Sequence, residues 1–340
     1  MQYTLAFLMP PFLRRFALTA VTLASLSGTL LAQSTHRASA PGDWLPEEAG
    51  GVTAIVHTLI AAFDHVDLVA LGEAHERQID SDLRIALVRE PSFASRVHSI
   101  VIECASTAGQ STLDRYIAGE SVPAVQLKRV WSATAETTNG FCDAPMYPAF
   151  LAAVRDVNAR LSQGARIRVL AGHPPPGNMR GIEATAAAVI AEHVLGNHGK
   201  ALLIYGAAHF YLDGPEDYYQ TMGDDTGLVR RLNLAYPGRT LSVIPIGRLP
   251  RPPAVASDIP PDYRKVEQFL TTRLRPVLIS LQRPPFRNLT AEEFLGRTLT
   301  TCRPKGQCHS VFQGSKLTLA QIADAAVYVG PDSIDALRSP

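Results

Sequence analysis

Val66–Glu76 reads VDLVALGEAHE. A mostly apolar run, Val66–Leu71, meets Gly72, and Glu73, His75 and Glu76 follow at once. A strand buried on both faces cannot carry three ionisable groups along its middle. They therefore fall where a strand ends and a loop begins. The arrangement recurs at Ala201–His209, ALLIYGAAH, another apolar run ending in Gly-x-x-His.

Outward from these two stretches, the chain alternates. Thr53–Phe63 reads as a short amphipathic helix, and Ile79, Leu83, Ile85, Leu87 and Val88 fall near helical spacing up to Pro91, which should stop that helix. Ser99–Cys104 is a second apolar run, with Glu103 at its end. Leu113–Ile117, Val125–Trp131 and Tyr147–Leu161 read as helices, the last followed by a strand at Arg166–Gly172 that runs into His173. Gly181–Leu195 is an Ala-rich helix before the strand at Lys200–Tyr205. Thr240–Ile246, Pro276–Leu281 and Ala325–Gly330 are further strand candidates. This order predicts an α/β fold, a mostly parallel sheet with helices on both faces. Ligands of such sheets bind beyond the carboxyl ends of the strands. Four strands here end in Glu73/His75, Glu103, His173 and His209, which places the expected site at those ends.

The totals bound what the site serves. The chain has 340 residues, 46% of them hydrophobic, and a formal net charge of +1, with no dense Lys/Arg run. Nucleic acid is thus not an expected partner, whereas a small molecule or peptide is. Residues 1–32 have Arg14 and Arg15 before the apolar run Phe16–Ala32, the form of a signal peptide cleaved after Ala32 or Ala40. A membrane anchor is the lesser alternative for this segment. Residues 33–50 read as a linker and 51–340 as one α/β domain. The expected location is periplasmic or extracellular, with no lipobox Cys and no membrane association beyond the export signal. Export favours disulfides among Cys104, Cys142, Cys302 and Cys308. The turn-forming CRPKGQC segment favours Cys302–Cys308, and Cys104–Cys142 is left by elimination.

A His beside a carboxylate is a competent general base, because the carboxylate orients the ring and stabilises its charged form. Glu73, His75, Glu103 and His209 form the expected catalytic set. Arg84, on the helix after His75, is a candidate to hold a substrate carbonyl or oxyanion. The same imidazoles and carboxylates suit a divalent metal such as zinc, manganese or iron, with His75, His209, Glu103 and His173 as the candidate ligands. The H-E-x-x-H, G-x-S-x-G and P-loop signatures are absent. Glu76, His36, His193, His198 and His309 have no context that assigns them a role.

The run LGEAHERQIDSDLR followed by VIEC resembles the erythromycin esterase-like family and its ChaN-like relatives, labelled haem-binding uptake proteins, in a wider group with Tiki and TraB proteins. Gly72, Glu73, His75, Arg84, Glu103 and His209 match the family's positions in order. The two Gly-x-x-His motifs match those of the Tiki-type relatives. The resemblance covers roughly residues 64–212, including MYPAFLAAVRDVNARL and RIRVLAGHPP, plus AVYVG near the C-terminus. Similar sequences carry Asp where His173 stands and an Arg-Asp pair on the next helix, whereas this chain reads HPPPGNMRGIEA. The resemblance implies an exported hydrolase of ester or amide bonds, with or without a divalent metal. Its alternative is a ChaN-like protein that binds haem or an iron complex without catalysis. The haem would be held non-covalently, since no C-x-x-C-H motif exists.

Overall fold

The computed structural model describes residues 40–134, 141–177, 181–214, 219, 226–246, 268–295, 300–302 and 308–330. Its strands are β1 (Glu48–Gly50), β2 (Leu68–Leu71), β3 (Ser99–Ser106), β4 (Arg168–His173), β5 (Ala201–Ile204), β6 (Thr240–Ile246), β7 (Val277–Ser280), β8 (Thr300–Cys302), β9 (Cys308–Ser310) and β10 (Ala325–Tyr328). Eight of them form one sheet in the order β1-β7-β10-β6-β2-β5-β3-β4. Every pairing from β10 to β4 is parallel. Only β7 runs against its neighbours, pairing antiparallel with both β1 and β10. The expected α/β class with a mostly parallel sheet is the fold observed.

Side-chain alternation shows why β2 is apolar throughout. Val69 and Leu71 enter one core, whereas Leu68 and Ala70 enter another on the opposite face. β3 divides in the same way, with Ile100 and Ile102 on the first face and Val101 on the second. The first face is covered by helices Val52–Ala62, Gln78–Arg89, Gln110–Ile117, Ala124–Ser132 and Met146–Asn158. The second is covered by Ile182–His193 and Leu228–Ala235. A central strand with helices on both sides has little room for polar side chains, so the ionisable groups of β2 follow its end, whereas Glu103 lies within β3 just past its last pairing with β5.

Chain order sets which ends become neighbours. From β2 the chain goes to β3 and β4 on one side, then returns to insert β5 between β2 and β3 before crossing to β6. The carboxyl ends of β2, β5, β3 and β4 thus stand side by side. β2 and β5 stay joined past the regular ladder, since Glu73 N–H donates to Tyr205 O at 2.9 Å and Ala207 N–H to Glu73 O at 3.0 Å.

Several elements differ from the sequence reading. Residues 41–50, read as linker, contain a helical turn at Pro41–Trp44 and edge strand β1. Pro91 begins helix Pro91–Arg96 directly after Gln78–Arg89, because an extended Glu90 makes the corner and proline suits a first helical position. Ala325–Tyr328, the last strand candidate, is inserted between β6 and β7. A disulfide joins Cys104 to Cys142. Cys302 and Cys308 are register partners across the β8–β9 hairpin, and their side chains lie outside the described residues. Residues 1–32, expected to be a signal peptide, also lie outside them. Among the described residues, no helix is long and apolar enough to cross a membrane.

One packing constraint lies directly under the strand ends. Tyr205, fully buried, reaches past Val101 of β3, and a Cβ on Gly172 of β4 would fall 1.6 Å from its hydroxyl. Gly172→Ala should lower the unfolding free energy by about 1–3 kcal/mol. Chemical denaturation should also show Tyr205→Phe, combined with it, recovering part of that loss.

Candidate functional site

The turn after β2 is built to hold its side chains still. Gly72 is seated so tightly that an added Cβ would lie 3.0 Å from Pro245 and 3.1 Å from the Val243 carbonyl. Glu76 takes a left-handed backbone, with φ of 64°. Buried Asp80, in the first turn of helix Gln78–Arg89, accepts from Ala74 N–H at 2.9 Å and from Arg77 Nε at 3.0 Å. An acidic side chain is favourable in that first turn, and here it ties the turn to the helix.

Glu73 is buried and accepts from three side chains. Arg84 donates to Oε2, and Tyr147 donates to Oε1 at 2.5 Å. His75 Nδ1, also paired with Oε1, lies 2.7 Å away. Arg84 Nε in turn donates to the Asp80 carbonyl at 3.1 Å. Burial pushes the Arg84 guanidinium down to about 10, with the nearby Tyr147 acting in the opposite sense, and it stays charged at neutral pH. His75 is the solvent-facing member, its side chain 33% exposed against 2% for Glu73 and 4% for Arg84. Arg84 thus stands behind Glu73, away from any substrate approach.

Glu103 sits where the β3–β5 ladder ends, at Ile102–Ile204. Its Oε2 accepts the Gly206 N–H at 2.6 Å. Its Oε1 faces both histidines, 3.3 Å from His209 Nε2 and 4.0 Å from His75 Nε2. Burial alone would raise the carboxyl, but the charges of His209 and His75, with donation from His209 and Gly206, hold it well below the usual carboxylate range. Gly206 packs against the His75 ring, and a Cβ there would lie 2.7 Å from His75 Nε2, so the ring would have to shift.

His209 is clamped from both sides, since its Nδ1 pairs with Glu183 Oε1 at 2.7 Å. Burial would lower it, yet Glu183 and Glu103 raise it well above the ordinary histidine value, so it is an imidazolium at neutral pH. His173 is buried at the end of β4, and its Nδ1 donates to the Pro174 carbonyl at 3.0 Å. Burial lowers its pKa, with the Pro174 carbonyl and Glu103 acting the other way. Glu76 is exposed.

The structure gathers Glu73 and His75 from the end of β2, Glu103 from within β3, which continues to Ser106, and His209 from beyond β5, with Arg84 behind Glu73. His173, at the fourth expected strand end, has its Nδ1 on the Pro174 carbonyl. Sequence reading missed Tyr147 and Glu183. Tyr147 was hidden in an amphipathic helix where an aromatic residue reads as core. Glu183 carried a weak signal, an acidic residue in an otherwise Ala/Ile-rich helix, and it is buried. A small cavity of about 290 Å³, counting the space open to solvent, adjoins the group and is walled by Glu73, Glu103, Tyr147, Phe150, Leu151 and Ile204.

One ligand atom each from Glu73, His75 and Glu103 lies within 4.8 Å of the others, close enough to gather around an ion. The donor set fits an ion poorly all the same. Glu73 already takes three donations, and the imidazolium of His209 stands against Glu103, where a second cation would be repelled. His209, paired with Glu183 through Nδ1 and facing Glu103 through Nε2, is not among the residues gathered around that point.

No family model matches the chain, and no curated protein matches it in sequence. Among solved structures, a Bacillus cereus protein from a structural genomics programme aligns with 13% identity over 86% of this chain and 97% of its own, at a TM-score of 0.51. A succinoglycan biosynthesis protein aligns with 9% identity over 80% and 90%, at a TM-score of 0.52. Both show the same fold. An erythromycin esterase mutant in its open conformation aligns with 11% identity over 81% and 93%, at a TM-score of 0.48. At these identities the first two alignments show the fold alone.

The His209 clamp has a pH signature. A raised folded-state value means that the charged ring contributes stability fully below its unfolded pKa of about 6.5, and loses it as pH rises through the higher folded value. Glu183→Gln should cost about 3–5 kcal/mol, the usual range for breaking a buried pair. Denaturation across pH should find the deficit intact from mildly acid to neutral pH and shrinking in the alkaline range.

Proposed function

We propose that the chain is an exported hydrolase of ester or amide bonds that works by proton transfer at the strand-end site, without a resident metal. The observation that carries this reading is the Glu73–His75 pair. With Nδ1–H given to a buried carboxylate that is itself fixed by Arg84 and Tyr147, the partly exposed imidazole keeps Nε2, 4.0 Å from Glu103 Oε1, as its basic nitrogen.

Each residue then has a task. His75 Nε2 takes a proton from a water that attacks the substrate carbonyl, and Glu73 stabilises the imidazolium that forms. His209, held between Glu183 and Glu103, contributes positive charge near the oxygen where negative charge develops. Glu183 keeps that ring charged from behind. Glu103, held by Gly206 N–H, separates the two rings and fixes both. Arg84, expected as an oxyanion ligand, instead keeps Glu73 ionised and oriented, because its buried guanidinium is spent on Glu73 and the Asp80 carbonyl. Export accords with the Cys104–Cys142 disulfide, which persists in oxidising compartments.

Purified protein offered a panel of simple esters, lactones and peptides should turn over at least one ester. His75→Ala should reduce kcat/KM by about 10²–10⁴-fold. Full activity in that variant removes the proposed base. Elemental analysis of protein prepared without a metal-binding tag should find no stoichiometric ion. A stoichiometric Soret shift with hemin that disappears in His75→Ala, together with no turnover, would favour the ChaN-like binding alternative.

A further inference from the structure

Tyr147 enters the site from the first turn of helix Met146–Asn158. Its buried hydroxyl donates to Glu73 Oε1 at 2.5 Å and lies 3.3 Å from His75 Nδ1. The same carboxylate oxygen takes the His75 Nδ1–H at 2.7 Å. Two donors therefore share one acceptor, while Arg84 holds the other oxygen. The lead into this helix is fastened covalently to the site. Cys142, five residues before Tyr147, is bonded to Cys104, the residue after Glu103.

The geometry points to Tyr147 as a positioning residue that sets, through Glu73, the orientation and hydrogen-bond strength of the His75 ring. The Cys104–Cys142 bond keeps its helix in place. This inference rests on the reading of His75 as the base. The bland reading is that Tyr147 is only a wall of the cavity, beside Phe150 and Leu151. The two differ in what the hydroxyl alone does. Donors on one carboxylate oxygen compete, so weakening one strengthens the other. Burial, followed by the charge of Glu103, raises the phenol, which keeps it a donor throughout the neutral range.

Removing only the hydroxyl, in Tyr147→Phe, should leave the Glu73–His75 bond stronger and its direction less constrained. Proton NMR of the intact protein at one fixed pH reads the first effect as a downfield move of the His75 Nδ1–H resonance, assigned by its loss in His75→Ala. Site-specific 3-fluorotyrosine at 147, nearly isosteric and a stronger donor, should move the same resonance upfield. This second sample also decides the matter if Tyr147→Phe fails to fold. On an ester from the panel, Tyr147→Phe should lower kcat roughly ten- to a hundredfold with KM nearly unchanged. A resonance that stays put in the folded samples overturns the inference even if the enzyme hydrolyses esters. Absence of ester turnover counts against the hydrolase reading and leaves the proton shift measurable.

Discussion

A carboxylate buried at the centre of a parallel sheet must be compensated on every side, and the compensation of Glu103 organises this site. One oxygen takes the Gly206 N–H just beyond the last β3–β5 ladder pair. The other faces the imidazoles of His75 and His209. Unpaired, such a charge would cost several kcal/mol. Paired as it is, the cost becomes a constraint that fixes the positions of the two rings and the β5 turn together.

Around that centre the site has an approximate internal correspondence. Each Gly-x-x-His motif supplies a ring whose Nε2 looks toward Glu103, and each ring is backed at Nδ1 by its own glutamate, Glu73 or Glu183. The surroundings make the two rings differ. His209 is enclosed between two carboxylates and held charged, whereas His75 lies at the solvent edge and its glutamate is partly neutralised by Arg84. Similar residues in unlike environments are how one site obtains both a proton acceptor and a fixed positive charge.

The scaffold explains why this arrangement is rigid. The turn after β2 is tied to the next helix through Asp80, and the helix bearing Tyr147 leads in from a disulfide next to Glu103. Glycines at 72 and 206 sit where backbone or ring approaches closely. Second-layer contacts of this kind hold reacting groups within the small tolerance that proton transfer needs.

The sequence by itself determined the class of fold and the end of the sheet at which the buried ionisable cluster lies. An apolar run long enough for a strand but interrupted by Gly-Glu-x-His leaves no other place for the charges. It also determined four of the central residues, Glu73, His75, Glu103 and His209, because each directly follows or closes an apolar run. Tertiary structure alone decided the partners. Glu183 and Tyr147 lie on helices, where an acidic or aromatic residue has an ordinary use, and only crossover order and helix docking bring them against His209 and Glu73. The same holds for Arg84, whose charge read as a substrate contact until burial behind Glu73 made it a support. Local pattern marks where ionisable groups interrupt an apolar run, but which side chains meet there depends on strand order, and strand order is a property of the whole chain.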